Sequence, residues 1–489
     1  AALAEIVAGS EEQVAVLMNK KCEELGLKNT HFVNSTGLYD DEQYTTPSEM
    51  AMIMKYAMDV KVNLKPVFSN MVHSDIWEGP CRVGLKEELD PHYEIRVGKE
   101  QFKVWEKELR DHIGNYANIM EPVYLEFDET FVVSEQEFAK LDQDAHEGDL
   151  YLITYRVPGI ERYKKAVSMI NLGPTPIDLV GFYRDIGLEA YMAHDYEEYN
   201  RLLKYLRVKK AMANTKLLIL SATEEVPASV NTSCCDLLGL WQKYGIRNNR
   251  MTFRNVFDVM DKMEITPEIE AEADQVIGGA VSCNIKKEWV CQDLKYFHAV
   301  RALMEQFGCN AFTTSCKELC ASRYPMRNKC VPCMTHSINK DERIPSACEE
   351  DINVWLAMTV MMYLSDKSIF MGNPVLVLKG TKTLEQLGMP KLLTAPSQVF
   401  NEDVLEIHHA VPGRKMDGFD QPDMPYQLGH FTYEGWGSKI QVDMADHENK
   451  MVTLGRFNRR GDRMIVARAE ILGCEIREVY CSPAVFSRV

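Results

Sequence analysis

Side chains that bind metals or transfer protons are concentrated between Cys309 and Asp351. This segment holds six of the fourteen cysteines of the chain, together with His336 and a run of acids that ends at Asp351. The apolar stretch INVWLAMTVMMYL follows directly. Thiols suit soft metal ions, whereas carboxylates suit hard ones. We therefore expect any chemistry of this chain to lie here.

The cysteine spacings allow three interpretations. Three residues separate Cys316 from Cys320, and two separate Cys330 from Cys333, which are spacings that a structural Zn²⁺ site can use. The word CVPC is also compatible with redox activity, although it lacks a thioredoxin-like context at a helix start. Buried, reduced thiols are the plainer interpretation, because no secretion signal leads this large chain.

The acids and histidines have structural interpretations too. Glu318 is compatible with a solvated loop carboxylate, and Asp351 with an acid placed at a helix N-terminus, where the helix dipole favours negative charge. His408 and His409 are neighbours in a predicted strand, so one of them faces inward. The inward-facing histidine can be interpreted either as a structural residue or as a metal ligand.

Composition limits the possible classes of protein. The 489 residues predict about three domains, and 46% hydrophobic residues are ample for packed cores. A net charge of −17 argues against a general nucleic-acid binder. Apolar runs stop short of the roughly 20 residues that cross a bilayer. We expect a cytoplasmic protein with no nucleic-acid or membrane partner.

Elements that position these side chains follow from the hydrophobic pattern. Ser10, Gly26 and the apolar stripe between them predict a helix over residues 10–25, and Thr46 with Pro47 opens a second helix. Next come the strand-like words KPVFSNMV, PVYLEF and TPIDLVGF, and then KLLILSA, a continuous apolar run typical of a buried parallel strand. After residue 371, short strands such as VLEIHHAV and MVTLGRF alternate with turns.

This pattern predicts an α/β fold class. We expect two Rossmann-like, doubly wound α/β domains, then a C-terminal antiparallel β-rich domain, with a short helical appendage at the N-terminus. The predicted boundaries are 1–65 for the appendage, 66–210 and 211–371 for the α/β domains, and 372–489 for the β-rich domain.

Residues 1–65 closely resemble part of the D-alanyl-D-alanine carboxypeptidases. The matching words are AGSEEQVAVLMNKKCEELGLKNTHFVNSTGL and YTTPSEMAMIMKYA. That family needs a Ser-x-x-Lys nucleophile, a Ser-x-Asn and a Lys-Thr-Gly, and the matching segment contains none of them. We therefore expect this segment to be a non-catalytic fragment.

Residues from about 66 to the end resemble the L-fucose/L-arabinose isomerase superfamily, in its fucose-isomerase-like branch. The words are SCKEL, CVPCMTHSINKDERIPSACEEDINVWLAMTVMMYL, VLEIHHAVPG and MVTLGRFNRRGDRMIVARAEILGCE. The resemblance implies an aldose–ketose isomerase of carbohydrate metabolism that acts through an enediol. It also implies a divalent metal, usually Mn²⁺, and a homo-oligomer, a trimer or hexamer, with shared active sites.

Site residues follow from the resemblance by motif position. Glu318 in SCKEL and Asp351 in ACEED would be the catalytic acid and base and also metal ligands, with His409 as the third ligand. His408 and Cys316 would bind the sugar. A structural Zn²⁺ at Cys316, Cys320, Cys330 and Cys333 is the less favoured cofactor.

The sequence also departs from that superfamily. Its members commonly end with a segment whose histidine joins the active site, whereas the last histidine here is His447. The alternative function is therefore a catalytically inactive sugar-binding or scaffold protein that keeps the isomerase fold.

Overall fold

The computed structural model describes residues 10–24, 26–34, 40–45, 49, 60–73, 91–170, 175–223, 236–383, 385–388, 395–478 and 481–489. The chain divides into two compact units, of which one is residues 59–210 and the other comprises residues 1–58 and 211–489. The three predicted domain boundaries stay predictions. Among the helices of the described residues, none is long and apolar enough to cross a membrane.

The first predicted helix is confirmed as α1, Glu11–Glu24. The Ser10 hydroxyl accepts a hydrogen bond from the backbone N–H of Gln13 at 3.3 Å, which satisfies one of the free donors of the first turn. Gly26 follows the helix with a φ of 72°, a conformation that glycine adopts without a steric cost. The second predicted helix lies, apart from Glu49, outside the described residues.

The unit of residues 59–210 is built on a six-stranded parallel sheet. Its strands are β1 (Val62–Met71), β2 (Ala117–Ile119), β3 (Val123–Phe127), β4 (Leu150–Ile153), β5 (Ala166–Ile170) and β6 (Ala190–Ala193). The order is β2-β1-β4-β5-β6, with β3 also paired to β1, and every pair is parallel.

Helices cover both faces of this sheet. They are α2 (Pro91–His112), α3 (Glu135–Asp142), α4 (Thr175–Asp185) and α5 (Tyr196–Ala213), with a 3₁₀ turn at Ile160–Tyr163. In β4, Leu150 and Leu152 join the hydrophobic cluster around Leu203, whereas Tyr151 and Ile153 join the cluster around Phe138. Alternate side chains point to opposite faces of a strand, so this sheet is buried on both sides.

The word TPIDLVGF forms the helix α4 and not the predicted strand. Pro176 lies near the start of α4, where its missing N–H costs no hydrogen bond. Val180 and Tyr183 are buried, and a spacing of three residues puts both on one helix face. The apolar run was too short to separate a strand from a helix by periodicity.

Residues 211–371 form a second, four-stranded parallel sheet. Its strands are β7 (Lys216–Ser221), β8 (Arg247–Thr252), β10 (Ala311–Thr314) and β11 (Ser346–Ala347), in the order β11-β10-β7-β8. The helices here are α6 (Leu237–Tyr244), α7 (Phe253–Met260), α8 (Pro267–Gly278), α9 (Lys287–Gln306), α10 (Cys316–Ala321), α11 (Arg323–Asn328), α12 (Cys333–Asp341) and α13 (Ile352–Ser365). The prediction that KLLILSA is a buried parallel strand is confirmed by β7.

Two further sheets contain the C-terminal strands. An antiparallel sheet has the order β12-β13-β18-β17-β16, from β12 (Asn373–Val377), β13 (Val404–His408), β16 (Met451–Phe457), β17 (Met464–Glu475) and β18 (Ala484–Arg488). The hairpin of β14 (Tyr426–His430) and β15 (Ser438–Val442) pairs instead with β9 (Ser282–Cys283), and a 3₁₀ turn lies at Ala445–His447. A mixed α/β fold with parallel sheets and a C-terminal antiparallel sheet is confirmed, while the count of two Rossmann-like domains stays a prediction.

Candidate functional site

A cavity of about 510 Å³ opens beside the segment that the sequence singled out. Its wall comes from α10, the start of α12, the turn before α13, the first residue of β12 and the residues that follow β13. The lining residues are Cys316, Lys317, Cys320, Pro332, Cys333, Cys348, Glu349, Asp351, Asn373, His409, Ala410, Phe431 and Cys481. The cavity therefore gathers carboxylates, an imidazole, an amine and several thiols.

Strand register brings the two halves of the chemical segment together. The parallel strands β10 and β11 pair Thr313 with Ala347, so both strands end at the same edge of the sheet. Beyond that edge, β10 leads into α10 and β11 leads into the ACEED turn. Carboxyl ends of parallel strands are a common place for ligands to bind.

The ACEED turn carries an unusual backbone. Glu349 and Glu350 have φ angles of 64° and 50°, the left-handed region that residues other than glycine rarely occupy. Each such residue costs of order 1–3 kcal/mol and tends to occur at functional sites. The turn directs Glu349 into the cavity and leaves Glu350 paired with Arg250 at 2.6 Å.

Glu349 and His409 form the central polar pair of the cavity. His409 Nε2 lies 3.2 Å from Glu349 Oε1, and the backbone N–H of Ala410 donates to His409 Nδ1 at 2.9 Å. Because Nδ1 accepts, the ring is the Nε2–H tautomer, which donates to the carboxylate. Asn373 Nδ2 donates to the same Oε1 at 3.0 Å. The hydrogen bond from His409 outweighs burial and lowers the pKa of Glu349 to about 2.

Asp351 lines the cavity and also caps a helix. Its Oδ1 accepts a hydrogen bond from the N–H of Val354 at 3.1 Å, at the start of α13. Its Oδ2 lies 2.8 Å from Nη2 of Arg456. The structural interpretation of this acid, a cap favoured at a helix N-terminus, is therefore fulfilled, and its place in the cavity wall leaves a chemical role open.

Glu318 lies in the first turn of α10 and is not among the described lining residues of the cavity. Its carboxylate accepts a hydrogen bond from the hydroxyl of Ser315. Burial raises the pKa of Glu350, and the negative charge of Glu318 adds to that rise. The side chain thus belongs to the acidic surroundings of Glu350.

The two neighbouring histidines separate as strand geometry requires. His409 faces the cavity, whereas the ring of His408 lies 2.9 Å from Glu406. Arg477 holds the same buried carboxylate with two hydrogen bonds of 2.8 and 3.1 Å. Burial alone would raise the pKa of Glu406, but the contact with His408 and the hydrogen bonds from Arg477 outweigh it and lower the pKa.

The predicted ligand sets do not converge in the described part of the chain. Within the residues that the structure describes, no group of three or more His, Cys, Asp or Glu side chains is placed to hold a metal ion. Of the manganese set, Glu318 contacts Ser315, Asp351 contacts Arg456, and His409 donates to Glu349. Because the described residues do not fit an ion, no chemical step is assigned to one, and Mn²⁺ stays a prediction.

The predicted zinc quartet is divided between two environments. Cys316, Cys320 and Cys333 line the cavity, whereas Cys330 packs in the hydrophobic cluster around Phe312. Burial raises the pKa of the thiols of Cys330 and Cys333 well above the ordinary value, so both are protonated at neutral pH. The Zn²⁺ prediction likewise stays a prediction.

Several lining residues were not predicted as site residues. Glu349 lies in the run of acids that ends at Asp351 but is not itself a predicted site residue, and neither are Lys317, Asn373 and Cys481. Lys317 lies within the SCKEL word, so its neighbours could have pointed to it. Asn373 begins β12 and Cys481 precedes β18, both far along the chain from the SCKEL word, and neither carries a local signal.

One motif of the carboxypeptidase type occurs outside the N-terminal segment. Ser337 and Lys340 have the Ser-x-x-Lys spacing on α12, and both side chains are fully buried. The Ser337 hydroxyl donates to Cys333 O at 3.4 Å, and Lys340 Nζ donates to Val411 O. The spacing therefore reflects packing, because no substrate reaches this pair.

The N-terminal segment is similar to known proteins. The sequence profile of the D-alanyl-D-alanine carboxypeptidase family matches residues 1–69. D-alanyl-D-alanine carboxypeptidase DacF of Bacillus subtilis (strain 168) is 50% identical over 54 residues, which are 11% of this chain and 14% of that protein. DacA of Escherichia coli (strain K12) is 46% identical over 52 residues, 11% of this chain and 13% of that protein.

The chain thus spans about one-seventh of the length of these curated relatives. The predicted resemblance of the N-terminal segment to the carboxypeptidases is confirmed. These matches do not support the isomerase resemblance of residues 66–489, which stays a prediction.

Proposed function

We propose that this chain binds a small sugar in the cavity and interconverts its aldose and ketose forms through an enediol. The observation that carries the proposal is the Glu349–His409 pair, held with Asn373 in one cavity wall. The isomerase-like wording of residues 66–489 supports the same reaction. A cytoplasmic homo-oligomer, a trimer or hexamer, belongs to this proposal and is tested by light scattering.

The size and polarity of the cavity suit a monosaccharide. Small-molecule sites commonly enclose roughly 300–1,000 Å³ and orient the ligand with a few polar groups, and this cavity measures about 510 Å³. Lys317, Asn373 and Asp351 line the cavity, and their ammonium, amide and carboxylate groups can hydrogen-bond to sugar hydroxyls.

Proton transfer follows from the hydrogen bond between Glu349 and His409. Isomerisation removes a proton from C2 of the open-chain aldose and returns it at C1, which needs a positioned base and a donor to the carbonyl oxygen. A carboxylate with a pKa of about 2 is a weak base. When a substrate oxygen takes the Nε2–H of His409, Glu349 loses this hydrogen bond and its pKa rises toward a useful value.

Deuterium exchange tests this reaction. Sugars are incubated with the purified chain in D₂O, beginning with L-fucose and L-arabinose, and proton NMR follows the C2 signal and the ketose. We expect both isomerisation and loss of the C2 proton signal, because the base exchanges its proton with solvent. Glu349→Gln should lose both by about 10²–10⁴-fold, while Glu288→Gln, on the exposed side of α9, should retain them.

Retained exchange in Glu349→Gln would remove Glu349 as the base. Addition of Mn²⁺, or of EDTA, to the same reaction tests the ion that the resemblance implies. Activity that needs Mn²⁺ would require the side chains of the cavity to rearrange from the contacts described above.

A second candidate function is sugar binding without turnover. The observation that favours it is that both carboxylates of the cavity already have partners. Asp351 contacts Arg456 and accepts a hydrogen bond from Val354, and Glu349 accepts hydrogen bonds from His409 and Asn373. This function predicts that a sugar raises the melting temperature, with no exchange at C2 and no response to EDTA. Deuterium incorporation into any stabilising sugar would exclude it.

A further inference from the structure

Five free thiols line the cavity, and the proposed proton transfer uses none of them. They are Cys316, Cys320, Cys333, Cys348 and Cys481. Cys316 and Cys320 belong to α10, Cys348 follows β11, and Cys481 precedes β18. With Cys333 at the start of α12, the thiols come from four separate parts of the chain and form a built feature of this wall.

Two of these thiols are direct neighbours because of the strand register. Thr313 of β10 pairs with Ala347 of β11, and the N–H of Glu350 donates to Thr314 O at 2.9 Å. Cys348 therefore lies level with the end of β10, where Cys316 begins the next helix. The side chains of Cys316 and Cys348 both line the cavity at this point, so the register brings the two thiols to the same wall, as a disulfide between them requires.

We propose that Cys316 and Cys348 form a dithiol site that a small aliphatic disulfide oxidises to an intramolecular disulfide. In the first step the thiolate of Cys316 attacks one sulfur of the reagent, whose S–S bond breaks and releases one thiol with the proton of Cys316. In the second step the sulfur of Cys348 attacks Cys316, and the second thiol leaves with the proton of Cys348. Two electrons pass from the protein to the reagent.

Exposure sets the order of the two cysteines. Cys316 is partly exposed in the cavity, whereas Cys348 is 1% exposed. Because a buried thiol is hard for a reagent to reach, Cys348 is a poor first nucleophile. After Cys316 has formed the mixed disulfide, Cys348 is the adjacent thiol that resolves it.

The CVPC word suggests a different pair, Cys330 and Cys333. Their surroundings do not favour that choice, because Cys330 packs in the cluster around Phe312 while Cys333 lines the cavity. Cys333, the member of this pair that would meet the reagent, is only 5% exposed, whereas Cys316 is partly exposed, so a small disulfide reaches Cys316 more readily. The register of β10 and β11 therefore selects the reactive pair, and the spacing along the chain does not.

A peptide map of the folded chain tests the proposal. The chain is treated with bis(2-hydroxyethyl) disulfide, alkylated and digested with trypsin without reduction. Trypsin cuts after Arg301, Lys317, Arg343 and Lys367, so Cys316 lies on peptide 302–317 and Cys348 on peptide 344–367. We expect these two peptides to be linked, with a mass two hydrogens below their sum, and to separate on reduction.

Three variants assign the link to its cysteines. Peptide 302–317 also contains Cys309, so Cys309→Ser is the matched control and should retain the link. Cys316→Ser should lose the link completely. Cys348→Ser should leave a stable mixed disulfide on Cys316, because the resolving thiol is gone.

The wild-type map is sufficient on its own if Cys348→Ser fails to fold. A link from Cys316 to Cys320, Cys333 or Cys481 would overturn the assignment, as would a link that Cys309→Ser abolishes. Full alkylation of Cys316 and Cys348 after treatment would overturn the proposal itself. None of these outcomes depends on isomerase activity.

Discussion

At the scale of single residues, the Glu349–His409 hydrogen bond sets the charge of the cavity. His409→Gln removes the imidazole donor, so the pKa of Glu349 should rise from about 2 toward its ordinary value. If Glu349 is the base, its protonation should not reduce kcat/KM of the wild type between pH 7 and 5. The variant should lose activity as pH falls toward about 4.5, because its base becomes protonated.

The pH profile of kcat/KM for sugar isomerisation checks this prediction. His146→Gln is the control, because His146 is 75% exposed and lies outside the lining residues. An acid limb at the same pH in wild type and His409→Gln would contradict the prediction. The two profiles are compared by their midpoints, so a general loss of rate does not affect the conclusion.

Only part of this candidate site is predictable from the sequence, and the rest depends on the fold. Strand alternation required His408 and His409 to face opposite sides, but only the fold shows that His409 faces the cavity. Cys316 and Asp351 lie in the cavity wall, whereas Glu318 does not. Glu349 was missed because its orientation depends on a left-handed turn, which its residue type does not predict.

At the scale of elements, Asp351 connects the cavity to helix α13. Asp351→Ala removes the side chain that caps Val354 N–H, which should lower the free energy of unfolding by about 0.5–2 kcal/mol. Asp351→Asn keeps a side-chain oxygen for the cap and loses the negative charge beside Arg456. Urea unfolding should therefore rank wild type and Asn together and Ala below them.

The rate of sugar isomerisation by Asp351→Asn distinguishes a capping role of Asp351 from a catalytic role. If Asp351 only caps the helix, Asp351→Asn should isomerise sugar at the wild-type rate. A loss of turnover in Asp351→Asn with unchanged stability would support the acid–base role that the resemblance implies. Equal stability of the Ala variant and the wild type would contradict the capping role.

Helix α12 contains a buried amine whose charge depends on pH. Burial lowers the pKa of Lys340 to about 7, and its Nζ donates to Val411 O. Between pH 7 and about 10.5 the unfolded chain binds this proton and the folded chain does not. Stability should therefore rise with pH across this window, by up to about 1.4 kcal/mol per pH unit from this group.

Lys340→Met should remove that contribution to the pH slope. The measurement is the free energy of unfolding in urea at pH 7, 8 and 9, taken as the difference between wild type and variant. Lys262→Met, at an exposed position, should leave the slope unchanged. If the difference in free energy of unfolding between wild type and Lys340→Met does not vary with pH, Lys340 has the same charge in the folded and unfolded chain over this range, and the prediction is wrong.

Sequence patterns predicted elements well where one interaction dominates. The apolar run of β7 and the capped helix α1 are of this kind, because burial on both faces and a satisfied helix start leave a clear signal. The word TPIDLVGF failed because eight mostly apolar residues fit both a strand and the observed α4. The pairing of β9 with β14 is long-range, so no local pattern contains it.

At the scale of the whole molecule, metal content and the effect of metal on the melting temperature test whether the proposed isomerase uses a divalent ion. Elemental analysis followed by a thermal scan with EDTA and with Mn²⁺ measures it. The contacts of Asp351 and His409 predict less than one equivalent of tightly bound metal and a melting temperature that EDTA does not change. Mn²⁺ near one per chain, lost with a fall in melting temperature, would instead favour the ligand set Glu318, Asp351 and His409.

The N-terminal segment raises the last question, since its relatives are D-alanyl-D-alanine carboxypeptidases. Acylation by a β-lactam requires an accessible Ser-x-x-Lys pair. The matching segment has none, and the pair at Ser337 and Lys340 is fully buried. A fluorescent penicillin should therefore leave the folded chain unlabelled under conditions that label DacA of Escherichia coli.

Denaturation and substitution sharpen this prediction. If the folded chain is labelled by the fluorescent penicillin and the heat-denatured chain is not, the labelling is a property of the folded state. Stoichiometric labelling that Ser337→Ala abolishes would show that α12 opens, and the buried Ser337–Lys340 pair would then be a nucleophile and base. Labelling that survives Ser337→Ala would place a reactive serine elsewhere, and the absence of any label would leave the segment as a fragment without acyl-transfer chemistry.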